Sequence, residues 1–110
     1  MQRNSEAVAL LSSATTTETG AQHKVNGVDK TYSGWGSTSS GSGAAVILIE
    51  VRNSEDSPWI TMGTISLTLS TTGDIDGFSS IVPWKYTRAR VSSISGTGAT
   101  ISCEVGSVPQ

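Results

Sequence analysis

The stretch Ala44-Ala45-Val46-Ile47-Leu48-Ile49-Glu50-Val51-Arg52 decides how this chain must be read. In an extended backbone Ala45, Ile47, Ile49 and Val51 fall on one side, and Val46, Leu48, Glu50 and Arg52 on the other. The first set is the expected core face. Branching at Cβ stiffens χ1 and suits a half-buried pleated surface better than a helix. The bias holds along the whole chain, where Val, Ile and Thr together number 31 against five Leu.

Working outward, strand-like runs bounded by turn chemistry cover 21–25, 28–37, 44–52, 59–69, 75–82, 86–94 and 99–105. The punctuation between them is Asn26-Gly27, the Ser-Gly run 37–43, the polar turn 53–58, Thr72-Gly73-Asp74, Pro83 and Ser95-Gly96-Thr97-Gly98. No helix is required. The expected fold is all-β: a single small antiparallel β-sandwich or jelly roll of about seven to eight strands with an extended N-terminal arm. The arm takes residues 1–20 and the sandwich domain 21–110. Arg3 followed by Ala7, Val8, Ala9, Leu10 and Leu11 imitates the start of a secretory signal, but Glu6 abuts a very short apolar run and argues against one. The segment reads either as a sticky arm that packs on a neighbouring subunit or as a frayed terminus. In 99–105 the set Ala99, Ile101, Cys103 and Val105 is expected to face inward, which makes Cys103 a packing residue. Segments 30–44 and 85–99 both run into a Ser-Gly-[Ser/Thr]-Gly-Ala turn, an echo expected to mark two similar hairpins.

Composition narrows function by exclusion. The longest uninterrupted apolar run, 44–49, is far short of the roughly 20 residues of a helical membrane span, so the chain is expected to be soluble, with no membrane partner. Seven basic against nine acidic residues give no overall field for nucleic acid, and none is expected as a partner. One cysteine and one histidine leave almost no ligands for a structural metal, and no cofactor is expected. With 23 Leu, Ile, Val and Phe in 110 residues, the core is expected to be thin.

Candidates for chemistry are few. His23 lies beside Gln22 and Lys24 and reads as an exposed strand residue rather than the base of a hydrolytic triad. Asp74 and Asp76 flank Ile75 and project to one side, which would suit a carboxylate pair, but Thr71, Thr72, Gly73 and Gly77 around them favour turn capping. The chain is therefore not expected to be an enzyme. The densest stretch is 83–91, where alternation aligns Trp84, Tyr86, Arg88 and Arg90. Such a strip suits partner binding or sugar stacking. It equally suits a strand whose arginine stems cover the aromatics and pair with Glu50 or Asp76. Trp35, Trp59 and Trp84 lie in or beside loops, which leaves glycan binding open.

The strings Ile49-Glu50-Val51-Arg52-Asn53, the Trp59-initiated strand to Leu69, Asp76-Gly77-Phe78, Pro83-Trp84-Lys85-Tyr86 to Arg90, and 94–99 together resemble a family of small β-rich virion structural proteins of tailed bacteriophages. The likeness covers roughly residues 14 to 106. It implies a part of the phage particle, made in the bacterial host cytoplasm. The first expectation is a capsid decoration or cement protein that stabilises the shell through its N-terminal arm and sandwich contacts. A neck, tail or fibre-attachment protein is the alternative. The implied partners are the major capsid protein or other virion proteins, with homo-oligomerisation, for instance as a trimer. Val8, Leu10 and Leu11 in the arm and Trp84, Tyr86, Arg88 and Arg90 on the strip are the expected contact residues. The same strings are similar to discoidin-like jelly rolls, which implies a carbohydrate-binding module as a second alternative. Those domains are usually longer, and this chain lacks the extra strands and loops that build their binding spikes.

Overall fold

A computed structural model describes residues 6–24, 29–80 and 84–108. The chain builds eight strands: β1 (Glu6–Ala14), β2 (His23–Lys24), β3 (Asp29–Ser37), β4 (Ser40–Arg52), β5 (Ile60–Leu69), β6 (Asp74–Ser80), β7 (Tyr86–Thr97) and β8 (Thr100–Val108). They form two four-stranded antiparallel sheets, ordered β1-β8-β3-β6 and β2-β7-β4-β5. Each early strand pairs with its mirror from the end of the chain: β1 with β8, β2 with β7, β3 with β6 and β4 with β5. Lateral pairing of β3 with β8 and of β4 with β7 rolls that long folded ribbon into two sheets. This is the eight-stranded jelly roll, the all-β sandwich expected from the alternation.

The core follows the pleat. Ile47, Ile49, Val51, Ile65, Leu69, Ala89 and Val105 are fully buried, and Ala45, Ile101 and Cys103 nearly so. The inward sets read from 44–52 and 99–105 are therefore the inward sets of β4 and β8. Gly34 faces Ile47 and Ile65 across the gap, a position where a β-carbon would already be crowded. Between the sheets Tyr32 stacks on Phe78 with centroids 5.3 Å apart and donates its hydroxyl to Thr87 Oγ1 at 3.1 Å. Thr87 donates in turn to the Glu50 carbonyl at 3.2 Å, so the buried hydroxyls are satisfied.

Three expectations need correction. First, the arm expected over 1–20 is part of the sandwich from Glu6 onward. Strand β1 lies on the edge of its sheet with Val8 opposite Val105, Leu11 opposite Cys103 and Ala14 opposite Ile101. Leu10 and Leu11 are 4% and 5% exposed, and Val8 packs against the core they belong to. These three side chains cover the thin core of their own domain, which leaves Leu10 and Leu11 no surface for a neighbouring subunit. Residues 18–20 then cross to the other sheet and pair with β7 through Gly20 N–H to the Ala89 carbonyl and Val91 N–H to the Glu18 carbonyl, both 2.8 Å. Gly20 is needed at this crossing, because a β-carbon there would collide with the Leu10 carbonyl oxygen. Residues 1–5 lie outside the described residues.

Second, the echo does not mark hairpins. Strands β3 and β4 belong to different sheets, as do β7 and β8, so each Ser-Gly turn is an arch between the sheets. Third, the Ser-Gly run is mostly strand. The turn itself is Thr38-Ser39, held by Thr38 N–H to the Ser70 carbonyl at 3.0 Å and Thr38 Oγ1 to the Gly41 carbonyl at 2.6 Å. The strand beyond it meets the end of β7 across an irregular register.

Candidate interaction surface

The outer face of β7 carries Tyr86, Arg88 and Arg90, alternating with buried Thr87, Ala89 and Val91. Pairing places Arg52 opposite Tyr86, Glu50 opposite Arg88 and Leu48 opposite Arg90 on β4. On the far side of β7, Lys24 of β2 is also opposite Tyr86. A register shift between Ile49 and Glu50 in the β4–β5 ladder lies at the centre of this surface. Beside that irregularity Glu50 accepts from Arg88 Nε at 2.8 Å and from Arg90 Nε at 3.3 Å. Its side chain is only 8% exposed, covered by the two arginines that neutralise it.

Trp59, immediately before β5, completes the arrangement. The Arg52 and Arg88 guanidinium groups lie 4.3 Å and 4.2 Å from its ring centroid. Guanidinium planes are attracted to an aromatic face and lose little hydration there. Arg52 is further fixed by Gln22 Oε1, which accepts from Nε at 3.1 Å and from a terminal nitrogen, and by the carbonyls of Glu55 and Ser57. Lys85 lies over the Tyr86 ring at 5.4 Å. Five of the seven Lys and Arg residues, namely Lys24, Arg52, Lys85, Arg88 and Arg90, therefore gather on or beside one sheet face around Glu50. In a chain of net charge −2 this is a local concentration of positive charge.

The strip read from 83–91 thus exists in part as expected. Tyr86, Arg88 and Arg90 share the outer face, Trp84 is half-buried just before β7, and the acidic partner is Glu50 rather than Asp76. Arg52, Trp59 and Gln22 belong to the same surface and were not among the sequence candidates for it. Comparison of the chain with protein-family models, curated proteins and solved structures finds no match.

The other candidates resolve simply. Asp74 caps a turn: its Oδ2 accepts from Thr68 N–H at 2.9 Å and its Oδ1 from Ile75 N–H at 3.0 Å. His23 is paired with Thr87 in the short β2. Among the described residues no three His, Cys, Asp or Glu side chains are grouped so as to hold a metal ion. Among the described residues Lys30 is the one buried side chain whose polar atom lacks a hydrogen-bond partner: it is 3% exposed, and desolvation lowers its pKa. Cys103 is 1% exposed, and burial, reinforced by the Glu104 charge, pushes its thiol up to about 12. The thiolate is the reactive form. Native protein at pH 8 is therefore expected to resist a disulfide reagent such as dithionitrobenzoate and to react fully only on unfolding. Rapid stoichiometric labelling without denaturant would contradict the burial.

Proposed function

We propose that this protein is a structural component of a tailed-phage virion, a capsid decoration or cement protein in the first place, docked through the outer face of the β2-β7-β4-β5 sheet. The observation that carries the reading is the braced cationic and aromatic surface of Arg52, Trp59, Tyr86, Arg88 and Arg90 around Glu50. Its side chains are held before any partner arrives, so little rotamer entropy is lost on docking. Arginine and aromatic residues are the types that dominate interface energetics, and the excess of cations calls for an acidic partner surface. The resemblance of 49–53, 59–69, 76–78 and 83–90 to small phage virion proteins supports the same reading. So, by analogy of fold, does the jelly-roll architecture, which recurs in viral shells.

The test is the stoichiometry of this protein relative to the major capsid protein in purified particles. A simple fraction of the capsid count, on the order of hundreds of copies, is expected for shell decoration. A number on the order of a dozen places the same surface at the neck, tail or fibres. Absence from particles overturns the reading. Lys85→Glu combined with Tyr86→Ser is expected to lower occupancy while leaving the melting temperature nearly unchanged, because Lys85 is exposed and Tyr86 lies outside the core.

A further inference from the structure

The opposite sheet carries a second surface of different chemistry. Trp35 points outward from β3, 39% exposed, directly opposite Ile75 of edge strand β6, which is 71% exposed. Two of the three large exposed hydrophobic residues among the described residues are therefore immediate neighbours. On the other side Trp35 faces Ser102 of β8, and Ser37 faces Thr100 in the next outward row. The β5–β6 turn, closed by Gly73 N–H to the Ser70 carbonyl at 3.1 Å, rises beside them and brings in Thr72 and Asp74. The result is a shallow cleft of about 580 Å³.

A second feature converges on the same place. Ser13 is the only non-glycine among the described residues with a left-handed backbone, φ 49°, and it lines this cleft. Its amide donates to Ser102 Oγ at 3.0 Å, which fixes that hydroxyl beside the indole. Strained backbone of this kind persists where the surroundings over-determine it, and it concentrates at binding sites.

We propose that this cleft binds an uncharged sugar ring, with one face of the pyranose resting on Trp35. The lining selects that class. A flat, half-exposed indole offers its π face to the polarised C–H groups of a pyranose, and an apolar neighbour such as Ile75 extends the platform. Hydroxyls such as Ser37, Thr100 and Ser102 can both donate and accept, as a polyol requires. Among the described residues no cation lines the cleft and the one charged side chain there is Asp74, which disfavours phosphate, sulfate or carboxylate ligands. Asp74 already accepts two backbone N–H groups, so its carboxylate is positioned and keeps lone pairs free for a sugar hydroxyl. The site is independent of the cationic surface on the other sheet, and the proposal does not rest on the virion reading. The two together would give a particle protein one face for its own assembly and one for a glycan.

The test titrates the full chain with dextran, with dextran sulfate, and with oligosaccharides of glucose, galactose and N-acetylglucosamine, following backbone amide and indole N–H resonances and calorimetric heat. At least one uncharged sugar is expected to shift the Trp35 and Ile75 signals, at millimolar or tighter affinity. Trp35→Ala is expected to reduce that affinity by about tenfold or more with an unchanged melting temperature, and Trp35→Phe to keep part of it. Dextran sulfate should bind this face no better than dextran. Three results would overturn the proposal: no uncharged sugar of the panel perturbs Trp35; the shifts map to Trp59 and Tyr86 instead; or the wild-type chain self-associates in a way that Trp35→Ala abolishes, which makes the cleft a contact between copies.

Discussion

Replacing Leu11 with Ala is expected to destabilise the domain by about 2–4 kcal/mol, and replacing Leu10 and Leu11 together with Ser to leave it largely unfolded at room temperature. Both side chains are buried in the core, and Leu11 stands opposite Cys103. Truncation removes transfer free energy and leaves a cavity that a two-sheet core cannot easily close. Serine adds a hydroxyl with few partners at that depth. A domain of this size holds only about 5–15 kcal/mol in total, so two such losses consume much of it. Denaturant melts of the single variants measure the effect, and the rate of Cys103 labelling supplies a local readout, since loosening β1 exposes the thiol of its cross-strand neighbour Cys103. Unchanged midpoints with Cys103 still protected would mean that β1 is not part of the cooperative unit and would restore the free arm.

That arm is also the clearest lesson in what the sequence withheld. Strand β4 was legible because its alternation is nearly unbroken and three of its four inward apolar residues, Ile47, Ile49 and Val51, are branched at Cβ. Strand β1 breaks its pairing with β8 twice, between Ala9 and Leu11 and between Leu11 and Ala14. A bulge shifts the pleat by a residue, so consecutive Leu10 and Leu11 can both be buried, and period-two reading fails there. The two arches failed for a related reason. A Ser-Gly-rich turn between two strands reads as a hairpin, yet whether the strands pair or part into different sheets depends on partners tens of residues away. Pairing of β3 with β6 and β8 and of β4 with β5 and β7 is a property of the rolled ribbon, and no local window carries it.

The two surfaces divide in the same way. Alternation put Arg88 and Arg90 on one face and Glu50 on the outward side of β4, and charge complementarity suggested their meeting. Trp59 joins them because the turn after β4 returns it to the same end of the sheet, a closure set by the turn rather than by spacing. The Trp35 cleft needed still more: Ile75, Ser102 and Ser13 come from three other strands, and only the register of a finished sheet sets them beside Trp35. Sequence could only place the three tryptophans in or beside loops. It could not tell that one is clasped between arginines and another left open.

The acidic centre of the cationic face gives the second large expected effect. Removing the Glu50 carboxylate by Glu50→Ala is expected to cost about 1–3 kcal/mol, less than the roughly 3–5 kcal/mol of a fully buried pair. The discount follows from exposure: the Arg88 and Arg90 side chains are 24% and 38% exposed and can recover water once their partner is gone. What remains is repulsion between adjacent guanidinium groups and the loss of two charge-assisted hydrogen bonds. A double-mutant cycle of Glu50→Gln with Arg88→Met separates the pair from the packing of the Arg88 stem, and a coupling of about 1 kcal/mol is expected. Because the carboxylate is 8% exposed, that coupling should change little between low and moderate salt, unlike a surface pair. Trp59 emission should shift in the Glu50 variants as Arg88 leaves its ring. A coupling near zero, or one that disappears in moderate salt, would show the two arginines to be held by Trp59 and solvent alone, and the surface would then have to be ordered by its partner rather than presented to it.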